Sequence, residues 1–174
     1  VQEKNITFPT DTKLLTKIVT RCHIMAKLEE IKLRRSYQRE VKKLLRTIRF
    51  KSKGRKQGEV QRAVRRLRTI AGILIRDMRR KLSPEALEVH RQSLDLYDRV
   101  QRQKRSDTGK IYSLHEPGVS CICKGKAHKK YEFGAKASVT VTKTSGIIVG
   151  ALSFQDNPFD GHTLPAVLSQ VESI

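Results

Sequence analysis

The feature that most constrains this chain is the placement of its charge. Between Thr12 and Arg105 there are 29 Lys and Arg against 9 Asp and Glu; the remainder of the chain holds 8 of each. The whole formal excess of +20 therefore sits in one segment. Charges so closely spaced repel one another in any compact fold, and a polyanion is the simplest partner that relieves this. The alternative is a set of ordinary solvated helix faces, since Lys and Arg are normally exposed. Nucleic acid is the first partner the segment implies.

The segment also carries the period of helices. Leu14, Leu15, Ile18, Val19, Cys22, Met25 and Leu28 mark one face of a helix over 11–31, opened by Thr10 and Asp11 after Pro9. A second helix over 36–50 places Tyr37, Val41, Leu44, Leu45 and Ile48 among Lys and Arg. Residues 51–58, with two glycines and four cations, predict a loop. A third helix shows the most regular stripe: Val60, Ala63, Val64, Leu67, Ile70, Ala71, Leu74, Ile75 and Met78. Ser83, Pro84 and Glu85 form a capping sequence for a fourth helix ending near Lys104, with Leu87, Leu94, Tyr97 and Val100 inward. Four helices with short connections predict a bundle with a basic exterior over 11–106.

After Ser106-Asp107-Thr108-Gly109 the period changes. Extended segments are predicted at 111–114 and 119–123, and a long strand over 131–142 in which Phe133, Ala135, Ala137, Val139 and Val141 alternate with more polar positions. Lys143 to Gly146 predicts a turn and 147–154 the returning strand of a hairpin. A final amphipathic helix carries Leu164, Val167, Leu168, Val171 and Ile174. The resulting class is α+β. One hairpin under one helix covers too little sheet for a finished α/β domain, so the expectation is a core cut at both ends, with residues 1–10 the end of its first strand and 107–174 its partial remainder.

No run of about 20 apolar residues occurs and the amino terminus has no apolar signal core, which predicts no membrane span and a cytoplasmic location. Cys22, Cys121 and Cys123 are an odd number, which argues against a disulfide framework. Cys121 and Cys123 with His115 and His128 could be drawn as a zinc site, but C-x-C is not the usual knuckle spacing, and the site is not expected.

Three stretches are recognisable: Tyr112-Ser113-Leu114-His115-Glu116-Pro117; Lys124-Gly125-Lys126-Ala127-His128-Lys129-Lys130-Tyr131-Glu132-Phe133-Gly134-Ala135-Lys136; and Asn157-Pro158-Phe159-Asp160-Gly161-His162-Thr163-Leu164. Together they resemble the central region of insertion-sequence transposases of the DDE superfamily, near the insertion-sequence-five group. Val1 to Asp11 resembles the segment that follows that group's first catalytic aspartate. The resemblance implies an incomplete ribonuclease-H-like core with the basic helices inserted into it. It also implies DNA as partner, at element ends and target, and a homo-oligomer in the intact enzyme. Three carboxylates holding Mg²⁺ or Mn²⁺ would cut and join DNA by two-metal chemistry in that enzyme. All three would lie outside this chain, so no intact catalytic residue, no bound metal and no cleavage by the fragment itself are expected.

Asp160 is the tempting ligand, but an N-cap at the helix entry explains it as well; Asp156 and Glu132 are the other acids near the predicted core. Lys124, Lys126, Lys129, Lys130 and Lys136 form a candidate phosphate-tracking patch, against the alternative of a lysine-protected edge strand. Arg34, Arg35, Lys42, Lys43, Arg46, Lys53, Arg55, Lys56, Arg65 and Arg66 are the candidate contacts in the helical segment. A non-enzymatic nucleic-acid-binding module is the competing reading.

Overall fold

The computed structural model describes residues 9–51, 57–104, 106–123, 130–154 and 157–173. They form five helices and two antiparallel hairpins, an α+β chain. Two compact units organise it, Pro9–Lys110 and a second that includes Ile111–Ile174.

In the first unit α1 spans Asp11–Leu28, α2 Gln38–Lys51, α3 Gln57–Lys81 and α4 Pro84–Arg102. The start signals act as their chemistry dictates. The Thr10 hydroxyl accepts from the Lys13 N–H at 3.2 Å, and the Ser83 hydroxyl from the Ala86 N–H, also at 3.2 Å, with Pro84 opening α4. α3, 25 residues and so about 37 Å long, is the axis against which α1, α2 and α4 pack. Its Leu67, Ile70, Leu74, Ile75 and Met78 are fully buried, and meet a core drawn from Leu15, Ile18 and Cys22 of α1 and Leu94, Tyr97 and Val100 of α4. Several expected inward positions differ. Leu28, on the last turn of α1, is 72% exposed, and in α2 only Val41 is fully buried. α2 therefore lies on the outside of the unit and presents most of its circumference to solvent.

α1 stops three residues earlier than its periodicity predicts, because Glu30 turns into the left-handed region at φ 52° and the Ile31 N–H closes onto the Ala26 carbonyl at 2.7 Å. Lys51, Gln57 and Gly58 lie in helices rather than in the expected loop, whose residues 52–56 fall outside the described set.

In the second unit β1 (Ser120–Cys123) pairs with β2 (Tyr131–Gly134), and β3 (Lys136–Val141) with β4 (Ile148–Phe154). The long strand expected over 131–142 is thus two strands in two sheets, broken at Ala135 where the hydrogen-bonding partner changes. Residues 111–114 are not a strand. The β3–β4 turn is closed by Gly146 at φ 66°, with the Thr142 hydroxyl accepting from the Ile147 N–H. α5 (Asp160–Glu172) covers one face of this hairpin, bringing Gln170 and Val171 over Gly150. The alternation places the apolar side chains on the other face: Val139 and Val141 are 58% and 53% exposed. Leu164 and Leu168 of α5 are also exposed, while its buried contact is Thr163. No described helix is long and apolar enough to cross a membrane.

Candidate nucleic-acid interface

A cation that a carboxylate already holds is less available to a phosphate, so the candidate interface is sought by subtracting the internal ion pairs. Several arginines drop out. Arg66 donates to Glu40 at 2.6 Å, joining α3 to α2, and Arg35 approaches the same carboxylate at 3.5 Å. Glu40 is held below its ordinary carboxyl range, chiefly by the hydrogen bond from Arg66. Arg79 bridges Asp95 and Asp98 of α4 at 2.6 and 2.9 Å. Arg68 donates to the carbonyls of Gln101 and Gln103 and reaches Asp11, closing the end of α4 against the start of α1. These four arginines fasten the bundle. Sequence reasoning placed Arg66 among DNA contacts and passed over Arg68 and Arg79, because their partners lie up to 57 residues away.

Of the cations left without an ion pair among the described residues, those of α2 stand closest together on one helix face. Arg39, Lys42, Lys43 and Arg46 recur at helical spacing, all exposed, and none forms an ion pair among the described residues. Val41, Leu44, Leu45 and Ile48 occupy the opposite side, turned toward α3. The four cations span about 10 Å of helix axis. That is close to one Debye length at physiological salt, so each feels the others and the stripe acts as one electropositive surface. Phe50, 73% exposed at the end of α2 with the Arg49 guanidinium 5.8 Å from its ring, adds an exposed aromatic face to the same side. Lys42, Lys43 and Arg46 are candidates read from the sequence; Arg39 and Phe50 are additions that the helix geometry supplies. Arg65 is exposed on α3.

The connection between α1 and α2 carries Arg34 and Arg35 and is pinned to the bundle at three points. The Lys32 carbonyl accepts from Lys81 at 2.7 Å, the Arg34 N–H donates to the Asp77 carboxylate, and the Ser36 carbonyl meets His23 Nε2 at 2.7 Å. It ends on Tyr37, whose φ of 57° is left-handed, a conformation that costs a non-glycine residue roughly 1–2 kcal/mol. The guanidinium groups of Arg35 and Arg66 lie 4.9 and 5.9 Å from the Tyr37 ring. Contacts of that kind give about 0.5–1 kcal/mol each, which is enough to offset the strain.

In the second unit the lysine patch is only partly within the described residues; Lys124, Lys126 and Lys129 are outside them, as are Lys53, Arg55 and Lys56 of the first unit. Lys130 is exposed beside the Tyr131 ring. Lys136 is half-buried and held by the Pro158 carbonyl and the Asp160 carboxylate, so its ammonium is already engaged. Asp160 is not the N-cap its position suggests. Phe159 is the cap, without a side-chain hydrogen bond, and Asp160 is the first helical residue, its carboxylate paired with Lys136 while its carbonyl accepts from the Thr163 hydroxyl. His162 stands edge-on to Phe159 at 5.7 Å. Glu132 lies on β2 opposite Ile122, and Asp156 is outside the described residues. Among the described residues no three His, Cys, Asp or Glu side chains are placed to share a metal ion. Cys121 and Cys123 share the exposed face of β1; His128 is not described.

Comparison with protein-family models, with curated proteins and with solved structures finds no match to this chain.

Proposed function

We propose that this chain binds duplex DNA through the exposed cationic stripe of α2, as the DNA-holding part of a DDE-type transposase. The observation that carries the reading is that, among the described residues, Arg39, Lys42, Lys43 and Arg46 have no carboxylate partner and share one face of α2, while Asp11, Glu40, Asp95 and Asp98 fasten the helices together. Lys and Arg on a straight helix face meet phosphate oxygens wherever the helix lies along a groove, and this gives affinity with little sequence preference. The transposase assignment rests on the three motifs of residues 112–164 and the ribonuclease-H-like core that they imply. Element ends and target DNA are its partners, and the intact enzyme works as a homo-oligomer in the bacterial cytoplasm.

Mg²⁺ or Mn²⁺ would supply the cutting chemistry in that enzyme. The described carboxylates do not fit that role. Asp160 is 87% exposed and ion-paired with Lys136, and no second acid converges on it. The chain is therefore proposed to hold DNA rather than cut it. Supercoiled plasmid and end-labelled duplex incubated with the chain in Mn²⁺ should stay intact while a gel-shift shows binding. Nicking that disappears in Asp160→Ala would overturn this assignment of Asp160, and absence of a gel-shift would overturn DNA binding itself.

A further inference from the structure

One cleft in the first unit is lined by more arginine than its acids can use. It lies between the α1–α2 connection and the middle of α3, has a volume of about 600 Å³, and is bordered by Arg34, Arg35, Tyr37, Arg76, Asp77 and Arg80, with Ile73 and Leu74 beneath. Asp77 is 6% exposed and already satisfied: Arg80 at 2.6 Å, Lys81 at 3.2 Å and the Arg34 N–H converge on its carboxylate. Glu40 engages Arg35. Arg34 and Arg76 are exposed and have no carboxylate partner among the described residues. The cleft is also preformed, because its outer wall is pinned at Lys32, Arg34 and Ser36 and closes on the left-handed Tyr37. Backbone held so firmly in an unfavourable region around a charged opening is characteristic of ligand sites.

We propose that this cleft is a phosphate-binding site, in which Arg34 and Arg76 supply the forked donors and Arg35 and Arg80 add field from fixed positions. Guanidinium groups match phosphate oxygens two at a time, and four arginines lining one opening favour a dianion or a phosphodiester over a carboxylate. The volume falls within the range of small-ligand pockets, so a phosphate enters with its attached sugar, over the apolar floor of Ile73. The phosphate has two sources, a DNA backbone or a free phosphorylated compound. The first rests on the DNA-binding reading above; the second does not.

The test uses the whole chain and two probes. Inorganic pyrophosphate should raise the melting temperature of the parent saturably, and the paired substitution Arg34→Gln with Arg76→Gln should abolish the shift. Arg102→Gln, an exposed arginine at the end of α4, should keep it. Circular dichroism should show the paired variant folded, since Asp77 retains Arg80 and Lys81. The second probe is labelled duplex DNA. If the backbone is the source, the paired variant lowers the slope of log affinity against log salt by about two. An unchanged slope with the pyrophosphate shift lost assigns the site to a free phosphorylated compound. A pyrophosphate shift that is absent from the parent, or that survives in the paired variant, overturns the site. Failure of the parent to bind DNA at all overturns the DNA-binding reading instead, and the pyrophosphate result still decides the cleft.

Discussion

Burial sets the chemistry of individual side chains here, and Cys22 shows it most plainly. Enclosed between α1 and the core, its thiol is pushed up to about 12, so almost no thiolate forms at neutral pH. Ellman's reagent should therefore titrate two thiols in the native protein, Cys121 and Cys123, and a third only in denaturant; three thiols reacting together would contradict the buried placement. Cys121 should be the slower of the exposed pair, because partial burial and the neighbouring Cys123 both raise its pKa. Asp77 is the converse case. Burial opposes its ionisation, but the hydrogen bonds from Arg80 and Lys81 outweigh that and hold its pKa below the ordinary 3.8. A depressed folded-state pKa gives stability that is fully present above the unfolded value and lost as pH falls through the folded one. The Asp77 contribution should thus hold at neutral pH and fade below about pH 4. Chemical denaturation of Asp77→Asn should show a loss at pH 7 that shrinks toward pH 3; a loss independent of pH would mean that the carboxylate's charge is not what matters. Nothing local marks Arg68 as a tertiary fastener. Its role exists only once α3 lies beside Asp11, Gln101 and Gln103, residues far away in the chain.

At the scale of elements, the helices and the β3–β4 hairpin follow their sequence, and the long strand expected over 131–142 does not. Period and caps fixed the inward faces of α1, α3 and α4, since a stripe seven or more residues long has one way to be buried. Leu67→Ala and Leu74→Ala should each cost about 2–5 kcal/mol in urea unfolding, because both sites are closed on all sides. Val139→Thr should cost under about 0.5 kcal/mol despite its place in an alternating apolar run, because that face of the hairpin is open to solvent. A loss as large as that of Leu67→Ala would show the face to be covered. The strand break at Ala135 was invisible because alternation continues through it unchanged; what changes is the neighbour, from β1 to β4, and that is a tertiary fact. The same holds for cations. Arg65→Ala and Arg66→Ala look equivalent in the sequence, yet Arg66 bonds to Glu40 and approaches Tyr37 while Arg65 is exposed. The Arg66 variant should lose about 1 kcal/mol of stability and the Arg65 variant close to none.

For the molecule as a whole, the excess of +20 was legible from composition, but not which cations are at liberty to meet a ligand. That depends on which acids the fold has consumed. The unit Pro9–Lys110 uses Asp11, Glu40, Asp77, Asp95 and Asp98 internally and leaves the outer side of α2 positive, so the charge pattern of the sequence becomes a directional surface only through the packing of α2 on α3. The claim is tested most directly by fluorescence anisotropy of labelled duplex DNA across a salt series, with the parent chain and with Arg39, Lys42, Lys43 and Arg46 all changed to Gln. Contact with about six to ten phosphates predicts that the parent loses roughly three to five decades of affinity between about 50 and 200 mM salt. Removing four phosphate contacts should make the slope shallower by about 3–4. A parent slope near zero, or a variant slope equal to the parent's, would contradict α2 as the surface that holds DNA.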